Sequence, residues 1–145
     1  MESKELYRVL VVGPTGSGKS QFCNSVQRDI TNSKNKVSHK LKSCTKDPNS
    51  NIFKRNNTNY DFIDSAGSSD SENDDIKNLN LLIEFIKKKK SIDYISLLLK
   101  FGERITNETK KYLETLGNIF TAREFYTHLC VLFTKFPIKP KKKRS

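Results

Sequence analysis

Between positions 13 and 20 the chain reads Gly-Pro-Thr-Gly-Ser-Gly-Lys-Ser, three glycines set around a lysine and a hydroxyl. Glycines let the backbone fold so tightly that successive N–H groups converge, and convergent N–H groups bind oxyanions. A lysine beside them adds a full positive charge, and a serine hydroxyl immediately after it is an oxygen ligand for a hard divalent cation. The spacing satisfies G-x-x-x-x-G-K-[ST] without a break, the pattern of a loop that cradles nucleotide phosphates. On this chemistry Gly13, Pro14, Thr15, Gly16, Ser17, Gly18, Lys19, Ser20 and Gln21 form the phosphate-binding set. Lys19 reaches the β- and γ-phosphates, and Ser20 is a ligand of Mg2+. An ordinary glycine-rich turn would not sit between an apolar run, Leu6 to Val12, and an amphipathic one, Lys19 to Gln27.

A second group lies some fifty residues on. Asp64 ends the predicted strand Tyr60–Ile63, and Asp64-Ser65-Ala66-Gly67 fits D-x-x-G. In a parallel sheet Asp64 then stands beside the loop as a direct or water-mediated partner of the Mg2+, and the Gly67 N–H is placed to contact a γ-phosphate. Thr45, in the polar stretch 28–51, has two readings from position alone: a switch residue whose hydroxyl joins the metal only when a γ-phosphate is present, or polar filler.

These residues need a scaffold. Leu6 to Val12 reads as a buried parallel strand. Lys19 to Gln27 reads as a helix with Phe22, Cys23 and Val26 on one face. Ile52–Arg55 and Asn59–Ile63 read as strands joined by a turn at Asn56 and Asn57. Ile76, Leu79, Ile83 and Ile86 recur at helical spacing after a start near Ser71 and Asp74. Tyr94–Leu99 is a strand, Thr106–Phe120 a helix capped by Thr106, and His128–Phe133 a last strand. The alternation predicts an α/β fold, a three-layer P-loop NTPase with a mostly parallel sheet and helices on both faces. The domain spans 6–136, followed by a basic tail, 137–145.

Composition narrows the class. The 145 residues are 34% hydrophobic and 30% charged with a net charge of +11, one domain's worth of a globular, polar-rich chain. The excess charge sits in two blocks, Lys87–Lys90 and the stretch ending at Arg144, and neither has interleaved aromatic residues, which argues against a nucleic-acid partner. The tail reads either as a solvated end or as a nuclear-import or membrane-surface element. Three scattered cysteines and two histidines make no zinc pattern and suit a reducing, cytoplasmic setting. No apolar run is long enough for a transmembrane segment.

Five segments together resemble the avirulence-induced-gene G domains, the family of immunity-associated GTPases and relatives of the Toc GTPases. They are VLVVGPTGSGKSQFCNSV (9–26), SCTK (43–46), FIDSAG (62–67), IDYISLLLKFGERIT (92–106) and HLCVLFTK (128–135). The resemblance implies binding of GTP and GDP with Mg2+, slow GTP hydrolysis, and pairing of G domains as homo- or hetero-dimers across their nucleotide faces. It supports Thr45 as the switch threonine, and it implies a role for Arg104 toward a partner's phosphates, so that Lys19, Thr45 and Arg104 form the catalytic set. It also places Thr134 and Lys135 in the guanine-reading element T-K-x-D, but here Thr134-Lys135 is followed by Phe136-Pro137 and the aspartate is absent. Relatives often continue further, so the chain is expected to be a fragment, a truncated scaffold, or a domain that reads its base otherwise. Ser68 follows Gly67 where Ras-like proteins have a water-orienting glutamine, which predicts poor intrinsic hydrolysis.

Overall fold

A computed structural model of the chain describes residues 6–31, 49–65, 72–89 and 91–137. Among these described residues, five strands and four helices follow in the order β1 (Leu6–Val12), α1 (Lys19–Thr31), β2 (Asn49–Arg55), β3 (Thr58–Asp64), α2 (Glu72–Lys88), β4 (Tyr94–Lys100), α3 (Asn107–Ile119), α4 (Ala122–Thr127), β5 (Leu129–Thr134). The strands form one sheet in the order β2-β3-β1-β4-β5. β1 pairs in parallel with β3 and β4, and β4 with β5, while β2 pairs antiparallel with β3.

The elements follow from local chemistry. The β2–β3 hairpin turns through Asn56 and Asn57, both at positive φ, +47° and +65°. Two left-handed residues give a turn whose twist matches the strands, and asparagine tolerates that conformation. Thr106 caps α3, its Oγ1 accepting from the Thr109 N–H at 3.2 Å. Thr121 caps α4 in the same way, accepting from the Glu124 N–H. α4 occupies the stretch before the last strand, so that strand begins at Leu129, not His128. It is too short, at 6 residues, to establish a 3.6-residue period in sequence.

β1 is central, and Val9 to Val12 are buried on both faces. Leu10 and Val12 join Ile63, Leu97 and Leu99 in a core closed by Leu82 and Ile86 of α2, Leu116 of α3 and Phe125 of α4. Val9, Val11 and Leu98 face the other way onto Cys23 and Phe22 of α1. The molecule is therefore three-layered, with α1 alone on one face among the described residues. In α2 it is Leu82, 2% exposed, that enters the core, while Ile83 is half-buried. Just beyond α2, Lys89 reaches the buried Asp61 carboxylate at 3.1 Å, with the Arg8 guanidinium 3.9 Å away and Ser50 donating to the same carboxylate. This cluster fixes the C-terminal end of α2 to the sheet.

Candidate functional site

β1 and β3 are parallel with Val11 opposite Asp64, so both strands deliver their C-terminal ends to one edge of the sheet. In α/β sheets that edge is where ligands bind. Residues 13–18 wrap from β1 into α1 there, closed by a turn in which the Ser17 N–H donates to Pro14 O at 3.2 Å. Gly13 sits at φ +152°, and a Cβ on it would fall 2.3 Å from the carbonyl oxygen of Leu98 and 2.9 Å from Ser17 Oγ. Only glycine lets the loop lie this close to β4. Gly18 stands at φ +92°, turning the chain into α1, whose first hydrogen bond is Phe22 N–H to Gly18 O at 2.8 Å.

Lys19 is 5% exposed. Its ammonium bends back over the loop and donates to Gly13 O at 2.7 Å and Pro14 O at 3.1 Å. Burial lowers its pKa from the usual lysine range, against the opposing pull of the Asp64 charge. Asp64 shows the converse: burial raises its carboxyl above the ordinary aspartate range, opposed by the Ser20 hydrogen bond and the Lys19 charge. Each ion is left short of solvation. A phosphate would complete the shell of Lys19, and a cation that of Asp64.

Ser20 Oγ donates to Asp64 Oδ2 at 2.9 Å, so the two oxygen groups expected to share a metal are already in contact. The other carboxylate oxygen, Asp64 Oδ1, is buried and makes no hydrogen bond, as is Ser17 Oγ. An orphaned carboxylate oxygen beside a hydroxyl fits a hard divalent cation of the Mg2+ type, which takes few protein ligands and fills its shell with phosphate and water oxygens. Ser65, not foreseen, locks this corner: its N–H and its Oγ both donate to Val11 O, at 3.1 and 2.8 Å. A hydroxyl after an aspartate carries no pattern that would have marked it.

Thr134, at the end of β5, donates from Oγ1 to Ser17 O at 2.5 Å and so ties the last strand to the phosphate loop. Lys135 follows at φ +55° and is exposed. Phe136, where the base-reading element has its variable residue, packs against Phe101 in a tilted pair with ring centroids 3.9 Å apart. Arg104 lies in the irregular stretch between β4 and α3 at the same edge, after Gly102 at φ +81°. Its neighbour Glu103 pairs instead with Lys100, leaving the Arg104 guanidinium exposed. Gln21, Thr15 and Gly16 are also exposed along the loop. The structure thus brings together residues 13–21, Asp64 and Thr134, with Lys135 following Thr134 as an exposed residue, whereas Thr45 and Gly67 lie outside the described residues.

The arrangement is a glycine-turned loop at a helix N-terminus, one desolvated ammonium, and a hydroxyl–carboxylate pair at a sheet edge, chemistry that suits a phosphate chain and its counter-cation. No described helix is long and apolar enough to cross a membrane.

Comparison with known proteins gives the same picture. The model of the AIG1 family matches residues 7–142. No curated protein sequence matches the chain. Among solved structures, Toc33 of Arabidopsis thaliana, crystallised as a dimerisation-deficient mutant, is similar at TM-score 0.69 and 20% identity over 97% of this chain. The complex of Toc33 with GDP and Mg2+ is similar at TM-score 0.68 and 18% identity over 97% of the chain. The Arl6 small GTPase of Trypanosoma brucei with a bound nucleotide analogue follows at TM-score 0.56 and 14% identity, over 88% of this chain and 65% of that one. The chain spans about half, 55%, of either Toc33 chain.

Proposed function

The chain belongs to the AIG1 family, and from that premise we propose that it is a GTP-binding G domain that holds GTP or GDP with Mg2+ and hydrolyses GTP slowly. One observation carries the reading: buried Lys19 folded over the Gly13–Gly18 loop, with Ser20 and Asp64 in contact 2.9 Å apart beside it. In this reading the loop N–H groups and Lys19 hold the phosphates, and Ser20 and Asp64 hold the cation. Mg2+, when bound, neutralises charge on the β- and γ-phosphates. Thr45 and Gly67 sense the γ-phosphate and make the segments between α1 and β2 and between β3 and α2 switch elements.

Pairing of two such domains through the nucleotide face supplies what the chain lacks after Gly67. Arg104 stands exposed at that face, and a guanidinium fork suits the charge spread over γ-phosphate oxygens. Support comes from the solved relatives, where dimerisation is described as important for the GTPase activity of the chloroplast translocon components atToc33 and psToc159. The three unpatterned cysteines suit a cytoplasmic setting.

A second reading, a triphosphatase with little base selectivity, is favoured by one feature: Pro137 stands where the guanine-reading aspartate belongs. The two are separated by measuring thermal stability with GDP, GTP, ADP and ATP, each with Mg2+. A ligand at 100 times its Kd adds about 2.7 kcal/mol. Stabilisation by guanine nucleotides above adenine nucleotides supports the G domain, and equal stabilisation by all four supports the second reading. No stabilisation by any of them refutes both.

A further inference from the structure

β1, β3, β4 and β5 run parallel to one another, so the residues just past their C-terminal ends gather along one edge of the sheet. Asp64, which holds Ser20, ends β3 on one side of the phosphate loop. Thr134 ends β5 on the other side, and its Oγ1 donates to Ser17 O at 2.5 Å. The cation of such a site bridges the β- and γ-phosphates. A phosphate chain seated on the loop therefore has its γ end toward β3, and its nucleoside leaves toward β5. β3 and β5 are three strand spacings apart, about 14 Å, a distance that an extended nucleoside triphosphate covers.

Two aromatic side chains stand where the nucleoside arrives. Phe101 follows β4, and its N–H donates to Thr134 O at 2.9 Å. Lys135, at φ +55°, breaks the line of β5, and Phe136 beyond it lies against the Phe101 ring, with centroids 3.9 Å apart and planes inclined by 30°. Packing against each other buries neither ring: Phe101 is 44% exposed and Phe136 60%. An aromatic face left in water is a place for a base to stack, because every base has an apolar face of its own to cover. Pro137, in the aspartate's place, has neither a side-chain acceptor nor an N–H to offer the edge of a base. At this corner a base meets a face to stack on and no carboxylate at the position that would read its edge.

We propose that Phe136, backed by Phe101, is the nucleobase platform of this site, the base of a bound nucleotide stacking on the exposed Phe136 ring. The proposal rests on the phosphate-loop reading above and deepens it. Phe136 contributes affinity for a nucleotide over a bare polyphosphate, whereas the loop, Lys19 and the cation pair act on both.

The experiment is titration calorimetry in excess Mg2+ with GDP and with inorganic tripolyphosphate, for the parent, Phe136→Ala and Phe136→Tyr. Loss of a base–aromatic stack should weaken GDP binding in Phe136→Ala by roughly five- to 150-fold. Tripolyphosphate binding should be unchanged in that variant, and Phe136→Tyr should keep the parent's affinity for GDP. The chain has no tryptophan, so Phe136→Trp introduces a single one, whose emission should be quenched by GDP and not by tripolyphosphate. An undiminished GDP affinity in Phe136→Ala, or a tryptophan blind to bound GDP, overturns the platform and leaves the phosphate loop standing. Equal losses for GDP and tripolyphosphate also overturn it, since the ring would then be supporting the loop and not the base. A parent that binds neither ligand overturns the phosphate-loop reading itself, and the platform with it.

Discussion

Replacing Lys19 by alanine tests the site most directly. In the folded chain the ammonium is 5% exposed and held by two carbonyl oxygens, Gly13 O at 2.7 Å and Pro14 O at 3.1 Å. Burial already works against its charge, and Asp64 only partly offsets that. Its removal therefore costs the free protein little: a desolvated charge goes, and two carbonyls lose a donor. The bound state loses far more, because a charge-assisted contact to phosphate contributes about 1.5–3 kcal/mol, or roughly ten- to hundredfold in affinity. With nucleotide at about 100 times the parent's Kd, ligand binding stabilises the parent by about 2.7 kcal/mol. A thirtyfold weaker site at the same concentration gains only about 0.9 kcal/mol. For a domain of this size those figures correspond to a nucleotide-induced rise in Tm of about 10 °C in the parent and about 3 °C in the variant. The assay is differential scanning fluorimetry with Mg2+ and GTP or GDP. A Lys19→Ala protein with an undiminished rise would refute the phosphate-loop reasoning. So would a large loss of stability without nucleotide, since Lys19 would then be holding the loop and not its ligand.

Gly13→Ala should destabilise the free protein by about 2 kcal/mol or more in urea unfolding, because its Cβ meets the Leu98 carbonyl at 2.3 Å in a strained backbone region. Mg2+-dependent nucleotide affinity should fall on acidification sooner than for a site built on an ordinary aspartate. The raised Asp64 pKa means the ionised form that binds the cation is lost at higher pH, and titration calorimetry against pH, with Asp64→Asn as the flat control, checks this. Cys23, buried with its thiol pushed up to about 12, should resist alkylation near neutral pH while exposed Cys130 reacts, as mass spectrometry of a Cys44→Ser protein would show. In the proposed function, Arg104→Ala should keep GTP affinity and lose only the part of the hydrolysis rate per molecule that rises with protein concentration. A parent rate independent of concentration would remove that role.

The residue order alone determined most of the sheet and the phosphate loop, because both rest on local constraints. β1 ends in the continuous apolar run Val9–Val12, whose burial on both faces follows from that composition. The glycine spacing and the lysine–serine pair state their chemistry without reference to distant residues. The caps at Thr106 and the Asn56-Asn57 turn are likewise decided within a few positions. What only the tertiary structure decided are relations between strands that are far apart in sequence. The contact of Ser20 with Asp64 joins positions 44 residues apart, and the tie from Thr134 to Ser17 spans 117. The choice of Leu82 over Ile83 as the residue of α2 that enters the core depends on how that helix is rotated against the sheet, which a 3.6-residue period leaves open. The short α4 escaped notice because 6 residues carry too little periodicity.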